Sequence, residues 1–319
     1  MTRQMLAISQ RQFGGPDVLT AVTADRPQPG PNEILVRVHA TAVNTVDWLT
    51  RAGGGLGTLG EPPFILGWDV SGTVESVGLG VTLFAPGDEV VGMPRFPYQA
   101  GAYAQYAAGP ARHFVHKPDR LGHVEAAALP LAGLTAWQAL VDTAHLAAGQ
   151  RVLVHGAGGD VGHLAVQIAR ARGARVAGTA RRTHHPALGA LGVQEVVDPT
   201  ETDFGEALRD VDVVLDTVGG DCAARSLSVL RPGGLLVTVP APPSAALADR
   251  AARLGVRTAF VLVEPDRSGL SELMGLVRGR LLHPVVDTVL PLTRATRAHE
   301  LGESGRAFGK VVLTAGAHG

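Results

Sequence analysis

The sequence predicts an α/β protein: a doubly wound parallel sheet joined to a second, β-rich domain. Three observations carry this. Up to about residue 125 the chain consists of short β-branched runs divided by Gly and Pro. From about residue 126 helical and strand patterns alternate, the rhythm of βαβ units. Within that second region, VLVHGAGGDVGHLAVQIARARG (152–173) reads as a buried strand, a glycine-rich turn and an amphipathic helix.

In the first region EILVRVHATAVN alternates as a half-buried strand should, and DVSGTVESVG and DEVVGM follow as further strands. GGPDV, PQPGPNE and APGDE are turns, because Gly and Pro punctuate them. RAGGGLGTLGEPPF lacks any period and is either a plain loop or a mobile rim over a site. The stretch AAALPLAGLTAWQALVDTA reads as a helix interrupted by Pro130. RVLVHGA, ARVAGTA, EVVD, VDVVLDTV, GLLVTVP and TAFVLV then read as buried strands with helical connectors. After Glu264 come a helix (SGLSELMGLVRGR), a strand (VVDTVLP), a helix (RATRAHELGE) and a last strand (KVVLTA).

A chain of 319 residues is long enough for two cores. Hydrophobic residues make up 45% and charged residues 18%, as in a soluble enzyme, and a formal charge of −1 offers no field for nucleic acid or an anionic membrane. Cys222 stands alone, which rules out an intramolecular disulfide and a cysteine cage for zinc within one chain. The N-terminus lacks a signal-peptide core, and the longest apolar run is too short to span a membrane, so a cytoplasmic setting is expected.

The glycines of the turn stand at Gly156, Gly158, Gly159 and Gly162, which fits G-x-x-G-x-x-G rather than G-x-G-x-x-G. Following a strand and opening a helix, this is the context of a dinucleotide pyrophosphate site. The phosphate is expected on the N–H groups of Gly159, Asp160 and Val161, with the Asp160 carboxylate in the first helical turn and leaning away. The next strand ends in ARRTHH, and no Asp or Glu occurs between Val161 and Glu195. An acid there holds a ribose 2′-hydroxyl, whereas Arg181 and Arg182 suit a 2′-phosphate, so NADPH is expected over NADH. A solvated basic turn is the plainer alternative.

These blocks, with ATAVNTVDW (40–48), PPFILGWDVSGTVESVG (62–78), PGDEVVGM (86–93), GAYAQY (101–106), LPLAGLTAWQAL (129–140) and GKVVL (309–313), resemble the medium-chain dehydrogenase/reductase superfamily. The similarity is to its zinc-free quinone oxidoreductase (zeta-crystallin-like) branch. It implies a GroES-like domain (1–126 and 265–319), completed by the C-terminal segment, and a Rossmann NADPH-binding domain (127–264), with NADPH in the cleft between them. Zinc members carry Cys at the position of Asn44 and Gly-His-Glu at Gly67, Trp68 and Asp69, so no metal site is expected here.

By the same resemblance, Asn44 and Thr135 bond the nicotinamide ribose or a nearby phosphate, unless they serve as turn or cap residues. Asp47 either passes a proton to the product or caps the following short helix. Trp48 walls the substrate pocket or belongs to the core. Thr179, Arg181, Arg182, His184 and Lys310 join Gly156, Gly159, Asp160, Val161 and Gly162 as candidate cofactor contacts, Lys310 being otherwise a surface lysine. Some relatives have a tyrosine near the adenosine phosphate where this chain has Pro199, which leaves phosphate recognition chiefly to Arg181, with His184 as a helper. Alternation is taken to point Tyr103 and Tyr106 to one face.

The resulting expectation is a zinc-independent NADPH reductase of quinones or activated alkenes (α,β-unsaturated carbonyls), working as a homodimer paired through TAFVLV. The alternatives are a dedicated enoyl or enone reductase of a biosynthetic pathway and a non-catalytic, NADPH-binding crystallin-like protein.

Overall fold

Glu33–Val43 is the spine of the first unit in a computed structural model that describes residues 4–316. It pairs antiparallel with Val70–Val77 on one edge and with Lys310–Thr314 and Tyr106–Pro110 on the other. Because it is central, the expected half-buried alternation fails: only Glu33, Arg37 and His39 are partly exposed, and the other residues are buried. Ala40 and Ala42 face a small cluster with Ala127, Ala128 and Val312, and Val36, Val38 and Val43 face a larger one with Phe114, Tyr103 and Leu313.

The main path of this seven-stranded sheet is Val286–Pro291, Lys310–Thr314, Glu33–Val43, Val70–Val77, Glu89–Gly92 and Phe114–His116, with Tyr106–Pro110 off it on Glu33–Val43. A separate three-stranded sheet is ordered Thr20–Asp25, Gln4–Gln10, Phe64–Ile65. This unit comprises the chain up to Leu134, Glu264–Arg278, and the chain from Pro284 onward. The last strand thus joins the β-rich unit from the far end of the sequence.

The second unit, Thr135–Val263 with Gly279–His283, holds a six-stranded parallel sheet. Its order is Glu195–Val197, Arg175–Thr179, Arg151–His155, Val211–Asp216, Leu230–Thr238, Arg257–Phe260. The strand order reverses beside Arg151–His155, so the ends of that strand and of Val211–Asp216 flank the switch point, where α/β sheets take ligands. Leu153, Val214 and Leu236 fill one core under this sheet with Phe204 and Leu227.

The helix expected around Pro130 is divided: His123–Ala127 ends first, and Pro130 opens Pro130–Trp137, a position where its missing N–H is harmless. A π-helical segment, Gln138–Thr143, continues it. Residues 52–63 form no helix or strand, but the Thr58 hydroxyl donates to the Pro97 carbonyl at 2.5 Å. No helix among the described residues is long and apolar enough to cross a membrane.

Candidate functional site

The turn after Glu33–Val43 gathers the buried polar groups of the first unit. Asn44 leaves the strand in an extended conformation and starts the helix Thr45–Arg51. Asp47 caps it: one carboxylate oxygen accepts the Asn44 N–H at 2.7 Å and the other accepts the Gly67 N–H at 3.1 Å. The cap role is therefore observed. Asp47 is fully buried, and that burial pushes its pKa up to about 7, against the lowering effect of the Asn44 N–H.

Lys310 is also fully buried, which corrects the alternative of a surface lysine. Its ammonium donates to the Val43 carbonyl at 2.9 Å and to Asn44 Oδ1 at 2.5 Å. With Oδ1 facing a cation, Asn44 Nδ2 turns the other way and donates to Asp69 Oδ2 at 2.7 Å. Asp69 Oδ1 accepts the Leu131 N–H at 2.7 Å. A buried cation thus lies among two carboxylates and an amide, each with named partners.

Tyr103 and Tyr106 do not share a face. Three residues apart in extended chain, they point to opposite sides, because side chains alternate with period two. Tyr103 is fully buried in the large core, whereas Tyr106 packs beside Met5 and Ala7 under the Arg26 guanidinium, 3.7 Å from its ring. The Tyr103 ring passes so close to Gly67 (φ +91°) that a Cβ there would lie 2.3 Å from Cδ1. Trp48 is only partly buried and lays its ring against Gly302. Trp68 is buried, and its Nε1 donates to the Tyr98 carbonyl at 2.8 Å.

In the second unit the strand Arg151–His155 runs into the glycine turn. Gly156 has φ +65°, and Gly162 opens the helix Gly162–Ala171 so close to the turn that a Cβ would lie 2.1 Å from the Gly156 carbonyl oxygen. Gly159 N–H bonds back to that same oxygen at 2.8 Å. Asp160 precedes the helix rather than standing in its first turn, which corrects the expectation for its side chain. The carboxylate folds onto the Val161 N–H at 2.8 Å, since a free peptide donor lies within its short reach. Of the three peptides expected to meet phosphate, only that of Asp160 keeps its N–H outside such bonds among the described residues.

Thr179 ends the second strand with its hydroxyl turned to the turn itself, accepting the Gly156 N–H at 3.2 Å and contacting His155 Nδ1 at 3.1 Å. The other ring nitrogen of His155 lies 2.9 Å from the Ser226 hydroxyl. Burial lowers the His155 pKa to about 4, so the ring is neutral at pH 7. The two arginines separate. Arg182 pairs with Glu201 at 2.5 Å, and its N–H donates to Asp198 at 2.7 Å. Arg181 is exposed, and its guanidinium has neither a hydrogen bond nor an ion pair among the described residues. His184 is half-buried at the start of the helix His185–Ala190, and Thr135 is buried in Pro130–Trp137.

Sequence reading missed Asp198, which arrives at Arg182 from the neighbouring strand rather than from the arginine segment. Its oxygens are taken by the Thr200 hydroxyl and N–H and by the Arg182 N–H, which hold the carboxyl below the usual range. It also missed Arg51, His299 and Asp216, whose partners lie far off in sequence or in the turn Val218–Gly219.

Residues 30–119 match the family model "Alcohol dehydrogenase GroES-like domain", and residues 191–313 match "Zinc-binding dehydrogenase". The chain is 33% identical to the mitochondrial NAD(P)H oxidoreductase RTN4IP1 of Danio rerio, over 89% of this chain and 84% of the relative. It is 34% identical to a 2-haloacrylate reductase of a Burkholderia species, over 94% and 96%. The solved quinone oxidoreductase of Coxiella burnetii superposes with a TM-score of 0.94 at 36% identity, over 98% of this chain and 100% of that one. The chain belongs to the medium-chain dehydrogenase/reductase superfamily, a class defined by this pairing of GroES-like and Rossmann folds. Within it the chain falls in the quinone oxidoreductase-like branch and is an NAD(P)H oxidoreductase of that kind.

The zinc named in that family description does not fit the residues here. At the positions that carry zinc ligands in other members, Asn44 accepts from an ammonium, Trp68 has only an N–H to offer, and Asp69 is bonded to Asn44 and to a peptide. A nucleotide does fit: the close approach at Gly162 and the Asp160 N–H are what a pyrophosphate requires.

Proposed function

We propose that this protein is an NADPH-dependent, zinc-independent reductase of quinones or activated alkenes. The observation that carries the reading is Lys310, whose buried ammonium, its partner Asn44 and, bonded to Asn44 in turn, Asp69 fill the ground where related enzymes hold a metal. No Lewis acid is then positioned to polarise an isolated carbonyl, so the substrate must be activated by its own conjugation. Quinones and α,β-unsaturated carbonyls meet that condition. The 2-haloacrylate reductase to which the chain is similar acts, as its name says, on an alkene of this type.

Bound NADPH supplies the hydride. The chain's own part is to hold and orient: the Gly156–Gly162 turn receives the pyrophosphate on peptide N–H groups, and Arg181 pairs with the 2′-phosphate. Asp198 does not oppose that phosphate strongly, because its oxygens are already occupied. Asn44 and Thr135 orient the nicotinamide ribose, and Trp48 borders the substrate. The proton comes from solvent or a nearby hydroxyl.

NADPH oxidation followed with 1,4-quinones and with alkenals tests the reading. Turnover with either class is the expected result. Tight NADPH binding with no turnover of either would instead favour the non-catalytic alternative, and turnover of a single enone only would favour a dedicated pathway reductase. We further propose a homodimer through the edge strand Arg257–Phe260, which carries the exposed Phe260 and, just beyond, Leu262. Elution as a monomer at micromolar concentration would overturn that part.

A further inference from the structure

A line of buried side chains runs from the surface of the first unit to Asp47, and its hydrogen bonds can point in one direction only. Arg51 Nη2 pairs with the partly exposed Glu303 at 2.5 Å, and its Nε donates to the Gly14 carbonyl at 3.0 Å. The remaining nitrogen, Nη1, lies 3.0 Å from His299 Nδ1. Guanidinium has donors and no acceptor, so Nδ1 must accept. The proton of the neutral ring therefore sits on Nε2, which lies 3.1 Å from the Tyr103 hydroxyl and donates to it. With its oxygen accepting from His299, Tyr103 has its own proton left for the nearby Asp47 carboxylate, which accepts the N–H of Gly67, the residue the Tyr103 ring packs against.

We propose that Arg51, His299 and Tyr103 are positioning residues of the reductase, a one-way chain of donors that keeps Asp47 an acceptor. Asp47 uses its two oxygens to hold the N–H groups of Asn44 and Gly67, the residues that open the two turns of the site. From the other elements around it, Asp69 repels its charge and Lys310 attracts it. A donor from Tyr103 favours the ion, against the burial that raises the Asp47 pKa. Burial and the facing Arg51 both disfavour a second proton on His299, lowering its pKa to about 3, so the direction of the chain holds through neutral pH.

The role in turnover rests on the reductase reading above; the direction of the chain does not. Nitrogen NMR of the imidazole tests the direction: the Nε2–H tautomer is expected, unchanged between pH 5 and 8. An Nδ1–H tautomer or a charged ring overturns the chain, whatever the activity. Kinetics test the role. Leucine at 299 (His299→Leu) and Tyr103→Phe are expected to lower kcat by roughly ten- to a hundredfold through misplacement, with the KM for NADPH unchanged. His299→Gln, which offers an acceptor and a donor in similar places, is expected to restore most of kcat. A normal kcat in Tyr103→Phe, or a loss in KM alone, overturns the positioning role; that variant removes one hydroxyl and serves if His299→Leu fails to fold. Absence of turnover in the parent protein would defeat the reductase reading and the positioning role with it, and the tautomer would still decide the chain.

Discussion

The turn at Asn44 and the turn at Gly156 both leave the end of a strand, yet they are made of opposite materials. The first is built of charged and amide side chains, buried and engaged with one another. The second is built of peptide groups and missing side chains, with its one carboxylate bent back on its own backbone. The first is therefore sensitive to the removal of any partner, and the second to the addition of any atom.

The comparison breaks most visibly at Lys310. Lys310→Met leaves Asn44 Oδ1 and the Val43 carbonyl without their donor and two buried carboxylates without a cation. Removing one member of a buried charge network costs about 3–5 kcal/mol, so urea unfolding is expected to shift by that amount. An unchanged midpoint would show the network to be dispensable.

At the other turn, Gly162→Ala forces a Cβ onto the Gly156 carbonyl. Overpacking of this kind costs about 1–3 kcal/mol, and NADPH affinity measured by calorimetry is expected to fall roughly tenfold or more. Arg181→Ala is expected to weaken NADPH by roughly ten- to a hundredfold while leaving NADH nearly unchanged, the loss of one charge-assisted contact. Equal losses for both nucleotides would remove Arg181 from phosphate recognition.

Titration sharpens the contrast within the first unit. The His299 pKa falls from 6.5 to about 3, so the unfolded chain binds the proton first and stability declines as pH drops from about 6.5 toward 3. Asp47 has the opposite sign. Its pKa rises from 3.8 to about 7, so its contribution is greatest below 3.8 and is lost as pH rises through 7. Urea midpoints between pH 5 and 8 are expected to fall less with pH in Asp47→Asn than in the parent. The smallest effect is at Asp160, where Asp160→Gly frees the Val161 N–H and is expected to tighten NADPH by roughly two- to fivefold.

What could be read from the sequence follows the range of the interactions. The parallel strands, the glycine turn and its helix are legible because each is a local pattern of apolar period and turn residues. Pairing across sheets is not local. Arg51 and His299 are 248 residues apart, and nothing near either announces the other. Asp198 is invisible as a neighbour of Arg182 until the sheet order places the two strands side by side. The expected alternation of Glu33–Val43 fails for a related reason, since a central strand covered on both faces has no solvent side to mark.

Lys310 and Asn44 are separated by 266 residues of chain. As the polypeptide is made, the strands around Asn44 emerge early and must wait for the last strand before their buried carboxylates acquire a cation. Until then a nascent β-rich unit holds Asp47 and Asp69 uncompensated, and water or added protons must stand in for the missing ammonium. Closing so distant a pair is slow, because chain entropy is spent before the contact forms. The β-rich unit is thus completed only when Lys310 reaches an Asn44 that lies 266 residues earlier in the chain.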